Sequence, residues 1–321
     1  MQLTPRLRTI AQQVPLGARL ADVGTDHGYL PVWLLLNGRI KGAVAADLRK
    51  GPLERARETA QLYGQSVAIS FRLCDGLTDI ISDEVDTVVI AGMGGETIID
   101  ILKAAPWTRQ EKLLLLQPMT GIPNLRRWLQ NNGYAILDEQ LAREGKRLYS
   151  IWTVKGGGMP PLSPAELWAG ENRDGPLRLE YLSMVEKKVQ KALQGQLAAR
   201  EPDQEAVTEL EAVQHGLWEM KKELIPVTTV GEVFAFLQEK TPFELQEDFD
   251  NAGFLVGRAG ADVNKILVSL DITRDVVQEA AELCALSIVA HHPVIFGKAA
   301  EMTYQTVTGK VLLDLAENRI A

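Results

Sequence analysis

Leu20-Ala21-Asp22-Val23-Gly24-Thr25-Asp26-His27-Gly28-Tyr29-Leu30 is the stretch on which the fold turns. A short apolar run stops at Val23, two glycines follow four residues apart, and a helical apolar pattern starts at Tyr29. That is a strand, a tight turn and a helix, the opening of an α/β sheet whose ligands sit at the carboxyl ends of parallel strands. Gly24 and Gly28 permit the turn and a close approach of backbone to ligand. The pattern is D-x-G-x-D-x-G rather than G-x-G-x-x-G, with Asp26 at the second glycine. An acid there repels a pyrophosphate, so a dinucleotide is disfavoured and a cofactor without phosphates is favoured.

Working outward, apolar runs at 19–23, 43–47, 67–73, 85–91, 112–117, 135–142 and 147–154 read as seven strands. Helical patterns at 29–36, 51–63, 96–102 and 122–131 separate the earlier ones, which implies a parallel sheet with helices on both faces. No helix separates the last two strands, so they read as an antiparallel edge hairpin turning at 143–145. After a Gly156-Gly157-Gly158 and Pro160-Pro161 break, Ser163-Pro164-Ala165-Glu166 has the order of N-cap, N1 proline and N3 glutamate. Leu182, Val185, Val189 and Leu193, then Val207, Leu210, Val213, Leu217, Met220 and Leu224, repeat every three or four residues. With Gly195 and Pro202 between them, they read as an antiparallel coiled-coil-like hairpin. That hairpin is either a solvated packing arm or a grip on substrate. Beyond Pro226 a helix at 230–237 precedes a βαβ unit of 265–271, 274–286 and 287–290, then a last helix. The expected domains are 1–158, 159–225 and 226–321.

The 321 residues carry a net charge of -8, which speaks against a nucleic-acid coat. Split by domain, residues 1–158 hold +3, 159–225 hold -4 and 226–321 hold -7. The acidity therefore belongs to the later pieces. The apolar runs, such as 32–36 and 113–116, are too short for a membrane span, and the first residues do not have a secretory leader's pattern. Cys74 and Cys284 are the only cysteines, so a disulfide framework is excluded; each reads as a small core residue in a reducing cytoplasm.

Four strand ends carry candidate cofactor groups. Asp47 ends the second strand, where an acid accepts hydrogen bonds from ribose hydroxyls. Cys74-Asp75-Gly76 ends the third and could read an exocyclic amino group. Gly92-Met93-Gly94-Gly95-Glu96 follows the fourth and leaves room for a flat ring. Each acid alone could be a helix cap. Together they point to a nucleoside cofactor without phosphates, for which S-adenosyl-L-methionine is the best candidate.

The runs DVGTDHGYLP, AADLRKGPLERA, RLCDGL, VVIAGMGGETI and LLLQPMTGIPNLRRWLQNNGY occur in that order. In them residues 1 to about 225 resemble the bacterial tRNA adenine-N1 methyltransferases of the TrmK type. The resemblance implies a class I S-adenosylmethionine-dependent methyltransferase, Rossmann-like and seven-stranded, with a helical hairpin, acting on N1 of an adenine in the D-arm of tRNA. It implies that Asp22, Gly24 and Gly28 shape the methionine pocket, with Gly76 and Gly92 beside the cofactor. It also implies that Asp47 holds the ribose, Asp75 reads the cofactor adenine, and Met93, Gly94 and Gly95 face the target base. N1 methylation makes a cationic base, so a nearby carboxylate helps. Asp26 is the candidate, with His27 orienting the base or serving only to tie the loop. An Asp/Asn-Pro-Pro-aromatic tetrad, the mark of exocyclic amino methylases, is missing from the fourth strand end. Phosphate partners are sought at Arg6, Arg8, Arg126, Arg127, Lys146, Arg147, Lys187, Lys188 and Lys191.

Residues 228–321 resemble the beginning of the Nif-three-like dinuclear metal-centre proteins, also called GTP cyclohydrolase 1 type 2. The carrying residues are Asp248-Phe249-Asp250-Asn251-Ala252-Gly253, Val268-Ser269-Leu270-Asp271-Ile272-Thr273 and Ala290-His291-His292-Pro293-Val294-Ile295-Phe296. The resemblance implies that His291 and His292 are metal ligands, and that the remaining ligands fall beyond residue 321. The pair is therefore expected to be an incomplete site in a partial α/β domain. The competing functions are a metal-dependent hydrolase, a methyltransferase of small molecules and a non-catalytic binding module; the helical arm speaks against the small substrate.

Overall fold

Alternation of apolar side chains builds the sheet. The computed structural model describes residues 1–171, 175–224, 228–242, 246, 251–295 and 302–321. The chain forms two compact units, Met1–Leu224 and Ile225–Ala321. The first unit begins with α1 (Pro5–Gln13), β1 (Ala18–Val23), α2 (Tyr29–Leu36), β2 (Ile40–Asp47), α3 (Lys50–Leu62) and β3 (Ile69–Leu73). It continues through β4 (Thr87–Gly94), α4 (Gly95–Ala104), β5 (Leu113–Thr120), α5 (Ile122–Asn131), β6 (Tyr134–Glu144) and β7 (Arg147–Gly156). Then come α6 (Pro164–Ala169), α7 (Arg178–Leu197) and α8 (Gln204–Leu224).

The strand order is β3-β2-β1-β4-β5-β7-β6. The five strands from β3 to β5 run parallel, and β7 and β6 close the edge antiparallel, so the sheet is mixed. The Rossmann-like α/β class expected from the sequence is what the chain adopts. Strand residues alternate between two cores. Ala21, Val23, Val88, Ile90, Leu114 and Leu116 face α4 and α5 through Ile98, Leu102, Leu125 and Leu129. Leu20, Val89 and Leu115 face α1 and α2 through Ile10, Leu30 and Leu34. The order reverses between β1 and β4, which opens the crevice for a ligand.

The arm is mounted on the sheet edge. Leu182, Val185 and Val189 of α7 bury against Leu210, Val213, Leu217 and Met220 of α8. Leu148 of β7 and Ala165 and Ala169 of α6 join that core. The capping box at α6 forms as its sequence suggests: Ser163 Oγ accepts from Glu166 N at 3.3 Å, and Glu166 Oε2 accepts from Ser163 N at 2.7 Å. The buried Arg178 donates to the carbonyls of Ala169 (2.7 Å) and Gly170 (3.1 Å), satisfying the end of α6. Gly195 stays inside α7 rather than in the reversal, which falls after Leu197.

The second unit holds β8 (Thr228–Thr229), α9 (Val230–Lys240), β9 (Asp262–Val263), β10 (Ile266–Ser269), α10 (Arg274–Glu282), β11 (Ser287–Ala290) and α11 (Val307–Glu317). β10 and β11 pair in parallel around α10, the expected βαβ unit. Helix α10 ends four residues short of the sequence expectation, because Cys284 turns left-handed at φ 54°. Cys74 is buried as expected, whereas Cys284 is exposed. Asp248, Phe249, Asp250 and Phe296 lie outside the described residues. Among the described residues no helix is long and apolar enough to cross a membrane.

Candidate active site at the sheet's carboxyl edge

The turn after β1 is built by backbone. The N–H groups of Gly24 and Thr25 both donate to Ala46 O, at 2.8 and 3.0 Å, which draws the turn over the end of β2. Gly24 sits at φ 70°, and a Cβ there would strike the Met93 methyl at 2.3 Å. Gly24 and Met93 therefore meet across the crevice. Asp26 follows in a left-handed conformation at φ 46°.

Asp22 and Asp47 lie side by side under this turn, both buried. Thr25 Oγ1 donates to Asp22 Oδ2 at 2.6 Å. Burial pushes the Asp22 carboxyl up to about 6, with Asp47 adding to the rise and the Thr25 hydrogen bond opposing it. Asp47 Oδ1 accepts from Arg49 N at 2.9 Å, which fixes the carboxylate at the strand end. Asp47 O in turn accepts from Cys74 N at 3.1 Å, linking the third strand end to the second. Asp75 is exposed beside it, and Gly76, at φ 57°, packs against Ile101.

Three of the expected site residues are held in packing. Gly28 caps α2, and a Cβ there would meet Ala56 at 3.1 Å, so it lets α2 approach α3. Gly95 is buried, with Gly121 O only 2.5 Å from where a Cβ would sit, so it lets two loops pack closely. Arg126 is a correction. It is fully buried, paired with Glu139, with its guanidinium 4.2 Å from the Trp152 ring centroid. Its place inside α5's packing face removes it from any phosphate. Arg127 is exposed and paired with Glu209 at 2.5 Å. The described residues around His291 and His292 contain no group of three or more His, Cys, Asp or Glu able to hold a metal.

Other groups join the site without having stood out in sequence. Arg55 of α3 donates from Nη2 to Asp26 Oδ1 at 2.7 Å, while His27 Nε2 lies 3.7 Å from Asp26 Oδ2. His27 is stacked on Tyr29, with centroids 5.1 Å apart. Gln117 is fully buried within β5, toward its carboxyl end. Its Oε1 accepts from Gly92 N at 3.2 Å and from Arg6 Nη1 at 2.7 Å, tying the β4 loop to α1. A polar residue closing the run Leu113-Leu114-Leu115-Leu116 was the visible signal for Gln117; nothing in the spacing marked Arg55.

The donor set suits a nucleoside cofactor. Asp47 offers a fixed carboxylate to hydroxyls, Asp22 a buried carboxyl to a cationic group, and Gly24 and Gly92 bare backbone.

Comparison with known proteins agrees with both halves of the chain. A family model described as a methyltransferase domain matches residues 3–152. A second, Duf34/NIF3 (NGG1p interacting factor 3), matches residues 228–321. The chain is 38% identical over 159 residues to the tRNA (adenine(22)-N(1))-methyltransferase of Bacillus subtilis, covering 49% of this chain and 66% of that protein. A Streptococcus pneumoniae protein, a candidate tRNA (m1A22) methyltransferase solved in complex with S-adenosyl-L-methionine, is 30% identical with a TM-score of 0.60. That match covers 68% of this chain and all of the other. Over 91 residues the chain is 37% identical to a GTP cyclohydrolase 1 type 2 homolog of Clostridium acetobutylicum, covering 28% of this chain. It spans only 34% of that relative's length.

Proposed function

The first unit belongs to the tRNA (adenine(22)-N(1))-methyltransferase family of the TrmK type, and from that premise we propose that the chain methylates N1 of adenine 22 in tRNA. S-adenosyl-L-methionine is the methyl donor. The observation that carries this proposal is the crevice where Gly24, at φ 70°, turns between the buried carboxyls of Asp22 and Asp47. When bound there, the cofactor supplies a sulfonium methyl electrophilic enough that adenine N1, with its own lone pair, needs no covalent help.

The chain's residues then bind and orient. Asp47 takes the ribose hydroxyls, Asp22 the methionine end, and Asp75 the adenine edge. Gly92, Met93 and Gly94 form the wall toward the target base. Gln117 holds Gly92 in place through its hydrogen bond, and Arg6 holds Gln117. Asp26 lies on the same turn, where a carboxylate stabilises positive charge arising on the base. Arg55 shares that carboxylate and fixes its orientation. The stacked His27 and Tyr29 present a flat surface beside it. The target base must leave its stack to reach this crevice.

Labelled S-adenosyl-L-methionine and unmodified tRNA, followed by digestion to nucleosides, test the proposal. Label is expected in 1-methyladenosine; proven cofactor binding without it would sink the proposal. Asp26→Ala is expected to lower kcat roughly a hundredfold while cofactor affinity is kept. Wild-type turnover in that variant would remove Asp26 from the reaction.

A further inference from the structure

Beside the crevice, between the sheet edge and the arm, runs a groove of about 270 Å³. Its floor is Pro118 and Met119 at the end of β5; its sides are Arg147 to Ser150 on β7 and Tyr181, Met184 and Lys188 on α7. Its floor adjoins the loop that walls the crevice: Pro118 pairs in register with Met93 and Thr120 with Gly94. Two observations give it a polarity.

Lys146, Arg147 and Lys188 are exposed along its rim. Among the described residues none of the three is held in an ion pair, whereas nearby Arg127, Arg143 and Lys221 are tied to Glu209, Glu180 and Glu186. The rim cations are free to meet an anion. Deeper in, Tyr181 closes the groove, its buried hydroxyl beside Ser150. Finally, Met119 and Met184, with Tyr149, line the groove with soft and aromatic surface fit for the face of a base. Tyr149 also connects the groove to the reacting loop, since Arg6 lies over its ring at 5.3 Å and bonds Gln117, which holds Gly92.

We propose that this groove seats the RNA nucleotide next to the target adenine, its base against Met119, Tyr149 and Met184 and its phosphate on Arg147, Lys146 and Lys188. The proposal rests on the methyl-transfer function above and adds a subsite to it. A flipped base leaves its neighbour unstacked, and a groove beside the crevice takes up that neighbour and pins the backbone. The arm then grips substrate through α7 as well as packing.

Binding of unmodified tRNA by the full chain over a series of salt concentrations tests this, with methyl transfer measured alongside. Arg147→Ala/Lys188→Ala is expected to weaken tRNA binding by about tenfold or more. The slope of log affinity against log salt should fall by about 1.4, since each phosphate contact on single-stranded RNA contributes roughly 0.7. Cofactor affinity should be unchanged, which shows that the fold is intact. Lys41→Ala, which removes a cation from β2, should bind as wild type. A purely structural role for Arg147 and Lys188 would not move the salt slope. Wild-type affinity and slope in the double variant would overturn the groove proposal whatever the methylation assay reads. Tight tRNA binding without 1-methyladenosine would instead sink the methyl-transfer function.

Discussion

Both units place polar residues at the carboxyl ends of parallel strands, yet they treat them differently. In the first unit Asp22, Asp47 and Gln117 are buried toward the ends of β1, β2 and β5, and Arg126 and Arg178 are buried where the arm meets the sheet. In the second, His291 and His292 follow β11 on the surface, and among the described residues its only buried polar side chain is Ser287. The cores differ in the same sense. Five parallel strands with helices on both faces supply enough apolar surface to enclose charges. A two-stranded sheet packed through Val277, Ala280, Ile288, Val311 and Leu315 does not. Burial gives a charged group a fixed orientation and a perturbed ionisation, at the cost of desolvation that a partner or ligand must offset.

If burial is what separates the two units, removing a partner of a buried charge should have the largest effect. Glu139→Ala leaves Arg126, with no exposed surface, without its counter-ion. A loss of about 3–5 kcal/mol is expected, lowering the first unit's melting midpoint by roughly 10 °C. Calorimetry of the full chain reads it, and the transition assigned to the second unit should not move. A small loss would mean that Arg126 finds water or another partner, and that burial is a weaker distinction than it looks.

Asp22 bears the cost of burial without a counter-ion. Its carboxyl is raised to about 6 by burial, so the folded chain holds that proton more tightly than the unfolded one. The contribution is full at acid pH, where both states are protonated. It declines as pH rises through about 4 to 6 and is lost above, worth about 3 kcal/mol in all. Asp22→Asn should therefore stabilise the cofactor-free chain at neutral pH and flatten its stability between about pH 4 and 6. The same change should cost cofactor affinity tenfold or more, because a neutral amide replaces the carboxylate. Denaturant melts across that pH range, with cofactor titrations at neutral pH, measure both. Equal stability of variant and wild type at every pH would show that Asp22 is solvated in the folded chain.

Much of the fold was legible because strand alternation and helix seams are local patterns. The apolar alternation around Leu20, Val89 and Leu115, and the arm seam from Leu182 to Met220, needed only the sequence period. The β1 turn and the acids at the strand ends were legible for the same reason. The partners were not. Arg55 reaches Asp26 across 29 residues, and Arg6 reaches Gln117 across 111, distances over which sequence carries no register. Arg126 and Arg127 show the limit most plainly: adjacent on one helix, one points into the core and the other to solvent. A cation pair in a sequence does not say which member faces the substrate. The end of α10 also depended on one residue, Cys284, adopting a left-handed turn that its type does not advertise.

The histidine pair should show the smallest effect. The backbone N–H groups of His291 and His292 donate to Ser269 O and Leu270 O, at 3.2 and 3.0 Å, so main-chain hydrogen bonds hold the two residues. The rings lie 4.7 Å apart, tilted 42°, and both residues are exposed. Replacing either imidazole by alanine removes little packing, and the stability change is expected within about 0.5 kcal/mol. Two imidazoles make a weaker zinc site than the four ligands of a structural one, so zinc titrated into the chain should bind weakly, and His292→Ala more weakly still. Methyl transfer should be the same in His291→Ala, His292→Ala and wild type. A destabilisation well above 1 kcal/mol, or tight zinc binding by the pair, would remove the contrast between the two units. It would mean that the second unit, like the first, holds its polar groups under constraint, with that constraint coming from a partner for the histidines rather than from its own small core.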